Sequence, residues 1–336
     1  MPDLRLTWRP ECYHGDGKRP PFFEGWHFKL VDAVARQRFA VIPGVFLADE
    51  PGASHSFIQT LDGLTGRTTY HRYPLDAFRY TPGELDIWIG PNHFWQDGIS
   101  LDITSAERTL QGELHFSALS PWPVSRVSPG IMGPYAFTPF MECYHGVLSL
   151  DHQVDGSLTT DGQRLDFAFG RGYIEKDWGQ AFPKAWIWMQ TSHFFRPGTS
   201  FTASIATIPW LRSAFRGFII GLWHDRRLYR FATYTGASTE HLGLTDTHVN
   251  WRVTGNVGSR LRPQHCRLEI IAERSEGGLL HAPYRAAMLQ RVLESLTATV
   301  AVRLVALHPH GEKVLFDEIG GCAGLEIGGE IAGILD

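Results

Sequence analysis

Apolar and polar residues alternate along most of the chain in short segments that glycine and proline separate. Residues 22–30 alternate in this way, with Glu24, Trp26 and Phe28 on one face of an extended strand. Residues 56–61 and 68–73 also alternate, and they flank turn signals that are typical of a hairpin. Similar segments recur at the short spacing expected of an antiparallel barrel or sandwich, so the pattern predicts an all-β chain.

Three parts of the chain depart from this alternation. Residues 121–139 are rich in proline, glycine and serine, which predicts a long connection that covers a functional site or joins domains. In residues 285–296 the apolar side chains recur at helical spacing, so this segment is the main helical candidate. The glycine-rich residues 320–333 predict turns around 323–327.

Length and composition set the class of protein. A chain of 336 residues suggests two domains, although one large β domain is also compatible with it. Hydrophobic residues make up 43% and charged residues 20%, as in a soluble globular protein. The net charge of −4 disfavours a broad nucleic-acid footprint, and the absence of a block of like charges disfavours polybasic membrane attachment.

The cysteines and the N-terminus indicate the compartment. The four cysteines form no Cys-x-x-Cys pair, and their spread suggests reduced, buried thiols. We see no signal peptide, and no apolar run approaches the roughly 18 residues of a membrane span. We therefore expect a soluble, cytoplasmic protein.

The stretch from Gly170 to Gln190 concentrates acids, tryptophans and a lysine. Its first arm, as a strand, alternates two acids and a tyrosine with apolar and basic residues, and its second arm carries two tryptophans and a glutamine on one face. If the arms pair, two carboxylates lie beside indole rings, which raises a carboxyl pKa and offers π faces to a cation. The alternative is a pair of core strands whose acids bind Lys176 or Arg171. The residues on these two faces are Tyr173, Glu175, Asp177, Trp186, Trp188 and Gln190, with Trp178 on the other face of the first arm.

Two further segments place acids among aromatic residues. These are Glu24-Gly-Trp-His27 and Glu142-Cys-Tyr-His145. A buried carboxylate needs a partner, so basic side chains or backbone donors satisfy these acids, or one acid stays protonated and serves as a general acid. Tyr144 and His145 could then position a phenol or relay a proton. The second segment repeats residues 11–15, which suggests either duplicated sheets or segments that meet in space.

Several other chemistries lack a motif. The 16 histidines include no His-Glu-x-x-His and no compact ligand cluster, so we expect no metal. No Gly-x-Ser-x-Gly marks a nucleophile, and no Gly-x-Gly-x-x-Gly follows a strand. A cofactor-free acid–base or binding role remains.

Four groups of motifs resemble the tocopherol cyclase family from about residue 8 to about residue 329. They are Phe-Glu-Gly-Trp-His-Phe-Lys (23–29), Pro-Phe-Met-Glu-Cys-Tyr-His-Gly (139–146), Gly-Tyr-Ile-Glu-Lys-Asp-Trp-Gly (172–179) with the aromatic strand 186–190, and Ala-Gly-Leu-Glu (323–326). Plant members usually carry tyrosine where His27 stands, and they have a plastid transit sequence that this chain does not show.

The resemblance implies a lipocalin-like, all-β architecture with two antiparallel barrel-like halves, residues 1–183 and 184–336, and few short helices. It also implies the reaction, in which a prenyl alkene is protonated and the phenol oxygen of the same hydroquinone captures the tertiary cation to close a chromanol ring.

That reaction assigns candidate roles to the residues above. Asp177 or Glu175 would be the acid, and Glu24 or Glu142 the base toward the phenol. The indoles that could stabilise the cation are Trp26, Trp178, Trp186 and Trp188. Further candidate substrate-binding residues are His27, Tyr144, His145, Tyr173 and Gln190.

Two other functions fit the same pattern. A lipocalin-like pocket could carry an isoprenoid or quinone without turnover, and an isoprenoid hydratase would let water capture the same cation. In each case the expected partner is a small hydrophobic molecule, with transient membrane-surface contact and no nucleic acid.

Overall fold

The computed structural model describes residues 4–139, 141–210, 213–259, 262–284 and 287–335. The alternating segments form antiparallel strands, which lie in two sheets. The first sheet contains β1 (Phe22–Val31), β2 (Arg38–Leu47), β3 (His55–Asp62), β4 (Thr68–Tyr73), β5 (Phe78–Tyr80), β6 (Asp86–Ile89), β7 (Asn92–Trp95), β8 (Gly98–Thr104), β9 (Thr109–Ser117), β10 (Cys143–Thr160), β11 (Gln163–Asp166) and β12 (Gly170–Gly179). The second contains β13 (Ala185–Thr191), β14 (Ser200–Trp210), β15 (Ser213–His224), β16 (Arg227–Ala232), β17 (Ser238–Leu244), β18 (His248–Ser259), β19 (Arg262–Glu273), β20 (Gly278–Tyr284), β21 (Ala287–His308) and β22 (Gly311–Gly329).

The strand order follows the chain except where distant segments pair. The first sheet runs β4-β3-β2-β1-β12-β10-β9-β8-β7-β6-β5, and β11 pairs with β10. The second runs β16-β15-β14-β13-β22-β21-β19-β18-β17, and β20 pairs with β21. Strand β12 therefore joins two runs of neighbouring strands in the first sheet, and β22 does the same in the second.

The helical segments are short 3-10 turns. They are Leu4–Trp8, Leu75–Ala77, Gly133–Phe137, Thr233–Thr235 and Ile331–Gly333. Within the described part of the chain, none of them has the length and hydropathy of a membrane-spanning helix.

Each sheet surrounds its own apolar core. In the first sheet, one face of almost every strand contributes to a cluster that includes Trp26, Phe28, Phe94 and Ile174. In the second, a larger cluster includes Ile187, Met189 and Trp251. Because alternate side chains of a strand point to opposite faces, the residues between these positions lie on the other face of each sheet.

The helix predicted for residues 285–296 is wrong. Residues 285 and 286 lie outside the described residues, and from Ala287 onward the segment belongs to β21. Val292 and Leu296 are buried whereas Leu289 and Leu293 are exposed, so the helical spacing did not mark one buried face. Sheet pairing, which single-sequence spacing does not contain, overrides it.

The turns predicted for residues 320–333 are also wrong for most of this segment, which continues β22 to Gly329. Two glycines of this strand make room for tryptophans of β13. A Cβ atom on Gly324 would lie 2.7 Å from the Trp188 ring, and one on Gly328 would lie 2.3 Å from the Trp186 ring. The glycines therefore permit close packing of indoles on a strand and do not break it.

The chain divides into two compact units, Met1–Phe182 with Gly278–Arg291, and Pro183–Gly277 with Val292–Asp336. The sequence placed residues 278–291 in the second half, whereas they belong to the first unit. Their attachment is visible at His281, whose backbone N–H and C=O both bond to the side-chain amide of Gln59, at 2.7 and 3.1 Å.

The packing of Trp186 on β22 leads to a first prediction. We expect Gly328→Ala to lower the free energy of unfolding by roughly 1–3 kcal/mol, because the new methyl group overpacks against the indole. Gly321→Ala, on the same strand but with no atom within 4 Å of the new Cβ, is the matched control. Urea unfolding of both variants measures the difference, and equal stabilities would contradict the packing described.

Candidate active site

Strand β12 lies between β1 and β10, and its register decides which side chains meet. Glu175 is opposite His27 of β1 and Val147 of β10. Asp177 is opposite His145 of β10. We call the face of β12 that carries Tyr173, Glu175 and Asp177 the acid face, and the face that carries Ile174, Lys176 and Trp178 the lysine face. The alternation read from the sequence is confirmed by the contacts on both faces.

The acid face holds a group of four polar side chains, joined by two hydrogen bonds and one longer ionic contact. The Tyr173 hydroxyl donates to Glu175 Oε2 at 2.6 Å. His145 Nδ1 lies 2.9 Å from Asp177 Oδ1, and its Nε2 lies 3.6 Å from Glu175 Oε2. Tyr173 and Glu175 are buried, while the Asp177 side chain is 29% exposed. The group therefore extends from a dry interior to a partly open edge.

Two pKa values in this group lie above their usual range, each for its own reason. Burial raises the pKa of Glu175, and the charges of His145 and His27 offset only part of that rise. Burial lowers the pKa of His145, but Asp177 and Glu175 outweigh it and bring the pKa to about 9. At neutral pH the imidazole is thus a cation between two carboxyl groups, and Glu175 retains its proton more readily than an exposed glutamate.

Apolar side chains border the acid group. Phe23 and Cys143 lie on the same sides of their strands as His27 and His145, because residues four and two apart in a strand share a face. Phe23 packs with Phe46 and Phe57, and Met288 lies against this cluster. These side chains form a buried apolar wall next to the carboxyl groups.

On the lysine face, Glu24 forms a buried ion pair with Lys176. Its Oε1 lies 2.6 Å from Lys176 Nζ, and both side chains are fully buried. The backbone N–H of His14 donates to both carboxylate oxygens, at 3.0 and 2.9 Å. Burial raises the pKa of Glu24, but Lys176 and His14 outweigh it, so the pKa lies below its usual range. The structure therefore does not bring Glu24 to the acid group, and its role as a base toward the phenol stays a prediction.

Trp26 and Trp178 also serve Lys176. Its ammonium group lies 4.8 Å from the centroid of each ring, in cation–π geometry. Trp26 belongs to the apolar core of the first sheet. Both indoles were expected to face a substrate cation, whereas the lysine already occupies that position.

The repeated segments meet at Trp178. The ring of His14 stacks on this indole at 4.3 Å, and the ring of Tyr144 at 5.5 Å. The interpretation that residues 11–15 and 142–146 meet in space is therefore confirmed. Sequence reasoning gave His14 no role, although the repeat was the signal that could have found it.

Tyr144 and Glu142 lie at the start of β10. The Tyr144 hydroxyl donates to the carbonyl oxygen of Thr138, on the face opposite His145. The carbonyl oxygen of Glu142 accepts from the N–H groups of Gln180 and Ala181. The catalytic role of Glu142 stays a prediction.

The second arm of the 170–190 stretch belongs to the other sheet. Strand β13 pairs with β14 and β22, so the expected pairing of the two arms is wrong. Trp186 Nε1 donates to Glu326 Oε2 at 2.9 Å, and Trp188 lies opposite Glu326. Gln190 is fully buried on the same strand. The site roles of Trp186, Trp188 and Gln190 stay predictions.

The acid group has the residue types of a metal site. Its three potential ligand atoms, from His145, Glu175 and Asp177, lie within 4.8 Å of one another, although the sequence showed no compact ligand cluster. Both ring nitrogens of His145 face carboxyl oxygens. A metal ion that bound this histidine together with either acid would therefore have to displace a proton from the ring. The hydrogen bonds and the raised histidine pKa favour proton transfer as the chemistry of the group.

A profile of the family described as "Tocopherol cyclase-like" matches residues 92–329. The chain belongs to this family. The matched residues include β10 and β12, which carry all four residues of the acid group. A tocopherol cyclase of Zea mays is 24% identical over 94% of this chain and 77% of that protein.

Solved structures share the architecture at low identity. Kievitone hydratase from Nectria haematococca has a TM-score of 0.50 and 14% identity, over 93% of this chain and 90% of that one. A protein named CghA has a TM-score of 0.54 and 11% identity, over 92% and 89%. The expected lipocalin-like, all-β fold is confirmed.

The buried ion pair gives a prediction about stability. We expect Lys176→Met to lower the free energy of unfolding by about 3–5 kcal/mol, because the carboxylate of Glu24 loses its buried cation. The double variant Glu24→Gln with Lys176→Met removes both charges and should recover much of this loss. Urea unfolding of the wild type, both single variants and the double variant measures the coupling, and strictly additive effects would argue against the ion pair.

The acid group gives a prediction about pH. In Asp177→Asn we expect the pKa of His145 to fall from about 9 toward 6.5, because the carboxylate that stabilises the imidazolium is removed. In the wild type the raised pKa adds stability that is fully present below pH 6.5 and is lost as the pH rises through about 9. Imidazole NMR titration measures the pKa, with exposed Asp246→Asn as control. An unchanged His145 pKa in Asp177→Asn would refute the contact.

Proposed function

We propose that this protein is a cofactor-free cyclase that closes a chromanol ring on a prenylated hydroquinone. The observation that carries the proposal is the polar group of Tyr173, Glu175, His145 and Asp177, which combines a buried carboxyl group with a cation. Membership of the tocopherol cyclase-like family and the name of the maize relative support the substrate class.

Glu175 is the proton donor. An alkene is a poor base, so its protonation needs an acid that is kept neutral in a dry site. Burial of Glu175 favours that neutral form. After the transfer, the Tyr173 hydroxyl and the His145 cation stabilise the new carboxylate, which keeps the cost of charge separation low.

The phenol oxygen then captures the tertiary cation. A C–H bond and a C–O bond form, while the π bond of the alkene and the O–H bonds of Glu175 and the phenol break. Asp177 accepts the phenol proton, and His145 relays a proton back to Glu175. The reaction is an isomerisation, so the mass of the product equals that of the substrate and no external acid, oxidant or cofactor is consumed.

The apolar cluster orients the substrate. Phe23 and Phe57 are buried and Met288 packs against them, so a prenyl tail would lie beside an apolar wall next to the acid face. A tail held there places the reacting alkene near Glu175 and excludes the water that would otherwise capture the cation.

The test is incubation of the protein with a prenylated hydroquinone in D₂O after chelator treatment. We expect a chromanol with one deuterium on the carbon that accepts the proton. Glu175→Gln should lower kcat by at least about 100-fold, since it removes the general acid. Glu240→Gln, at an exposed acid of β17, is the matched control.

Other products would point to the other functions. A tertiary alcohol, heavier than the substrate by one water, would identify a hydratase. Kievitone hydratase shares the fold. Retained binding without any product, in the wild type and in Glu175→Gln alike, would identify a carrier. Loss of activity after chelation would show that the acid group acts as a metal site and not as a proton donor.

The rate of cyclisation should depend on pH through Glu175. Because the neutral carboxyl group is the active form and its pKa is raised, activity persists above the usual range of a glutamate and falls as the pH rises further. Stopped assays of kcat/KM across pH measure the descending limb. Tyr173→Phe should move this limb to higher pH, because the hydroxyl no longer stabilises the carboxylate.

The cellular location and the partners of this chain are predictions, whereas the name of a relative states a location for that protein. The maize relative is named as chloroplastic. For this chain a cytoplasmic location and transient contact with a membrane surface stay predictions, and the partner proposed is the prenylated substrate itself.

A further inference from the structure

The outer face of the second sheet carries a row of apolar side chains across three strands. Ile271 of β19 pairs with Ala301 of β21, and Ala301 pairs with Ile319 of β22. Ile271 is 48% exposed and Ile319 is 67% exposed, whereas the opposite face of these strands belongs to the apolar core. Exposed isoleucines that adjoin in this way form a patch, while single ones are ordinary surface.

The connection between β13 and β14 extends this row at its β22 end. Arg196 Nε lies 3.6 Å from Glu318 Oε1, so the connection stays beside the strand that carries Ile319. Phe195 precedes Arg196 and is 91% exposed. The apolar row therefore continues beyond β22.

A row of charges with alternating sign lies beside the apolar row, two residues away along each strand. Its members are Arg252 of β18, Glu269 of β19, Arg303 of β21 and Asp317 of β22, which are neighbours in register. Arg252 Nε lies 3.8 Å from Glu269 Oε1, and Arg303 Nε lies 3.6 Å from Asp317 Oδ2, which are longer than hydrogen bonds. The signs thus read plus, minus, plus, minus across four strands, and the side chains keep room for further partners.

The charges on one flank of this row are already balanced within the chain. Arg267, two residues before Glu269, donates to both carboxylate oxygens of Glu312 at 3.0 Å and to Glu269 at 3.0 Å. This arrangement fixes the position of Glu269 and adds no excess of either sign. An anionic membrane, which attracts an excess of positive charge, therefore does not match this face.

The order of signs is self-complementary. A two-fold axis parallel to the strands, between β19 and β21, reverses the row and lays it on its own copy. Arg303 then faces Glu269 of the second copy, and Arg252 faces Asp317 of the second copy. Each charge meets an opposite charge, and the apolar row meets itself.

The size of the face suits a specific but weak dimer. The four strands share their register over residues 266–273 of β19 and the positions opposite them. Four strands of this length cover on the order of 500 Å² per copy. Two copies together would bury about 1,000 Å², which is the lower size of a specific interface. Sheets that pack face to face lie about 10 Å apart, a gap that arginine and glutamate side chains can close from the two sides.

We propose that the outer face of β18, β19, β21 and β22 is a self-association surface whose partner is a second copy of this chain. This inference goes beyond the proposed function and is independent of it. All the residues of the two rows lie in the second unit, and none belongs to the acid group.

The test exchanges charges between copies and follows the full chain by sedimentation velocity over a concentration series. We expect the wild type to show a reversible monomer–dimer equilibrium that weakens at high salt. Arg303→Glu sets glutamates opposite each other and Glu269→Arg sets arginines opposite each other, so each variant should dimerise at least about tenfold more weakly. An equimolar mixture of the two variants should recover the dimer, because each copy then offers the charge that the other lacks.

Two further variants keep the test independent of folding. Ile319→Ser removes an exposed apolar side chain, so the fold should persist while dimerisation weakens. Arg164→Glu, a charge reversal at an exposed position of β11 in the first sheet, is the matched control and should leave the equilibrium unchanged.

Three results would overturn the proposal. The first is a wild type that stays monomeric at the highest soluble concentration, and the second is a dimer that persists in both charge variants. The third is a dimer that both variants lose and their mixture does not regain, because the two-fold arrangement requires recovery. Cyclisation of a prenylated hydroquinone by Arg303→Glu at the wild-type kcat is expected, so loss of the dimer and failure of the proposed function are seen separately.

Discussion

The structure depends on how one strand satisfies charges on both of its faces. Strand β12 is buried between β1 and β10, yet it carries a lysine and two acids. Isolated charges in such a place are very costly, so each needs a partner from a neighbouring strand. Lys176 finds Glu24 on β1, and Asp177 finds His145 on β10. These side-chain contacts therefore add to the backbone ladder in fixing the register of β1, β12 and β10.

The two faces differ in their charge balance, and this difference separates structure from chemistry. On the lysine face one cation meets one carboxylate, with the His14 backbone and two indoles closing the arrangement. On the acid face two carboxyl groups share the imidazolium of His145. A surplus carboxyl group in a buried place gains most by holding a proton. The acid face can therefore give and recover a proton, whereas the lysine face is already neutralised.

The period-two pattern placed Tyr173, Glu175 and Asp177 on one face and Lys176 on the other, because alternation is local information. The strands of most of the first sheet followed from the same rule. Partners such as His14 for Glu24 depend on register between distant segments, and single-sequence patterns do not contain it. The first part of the strand at Ala287–His308, up to Leu296, was missed because its spacing imitates a helix. The strand around Gly324 and Gly328 was missed because glycine usually marks a turn.

The position of the indoles changes how a substrate cation would be stabilised. Trp26 and Trp178 face Lys176, and a second cation beside them would meet its repulsion. In the proposed reaction the cation forms next to the carboxylate that Glu175 has just become, and opposite charges attract strongly in a dry site. Tyr173 and His145 stabilise that carboxylate. Glu175 is therefore less prone to form an ester bond with the carbocation. The tethered phenol, at high effective concentration, then reaches the cation first.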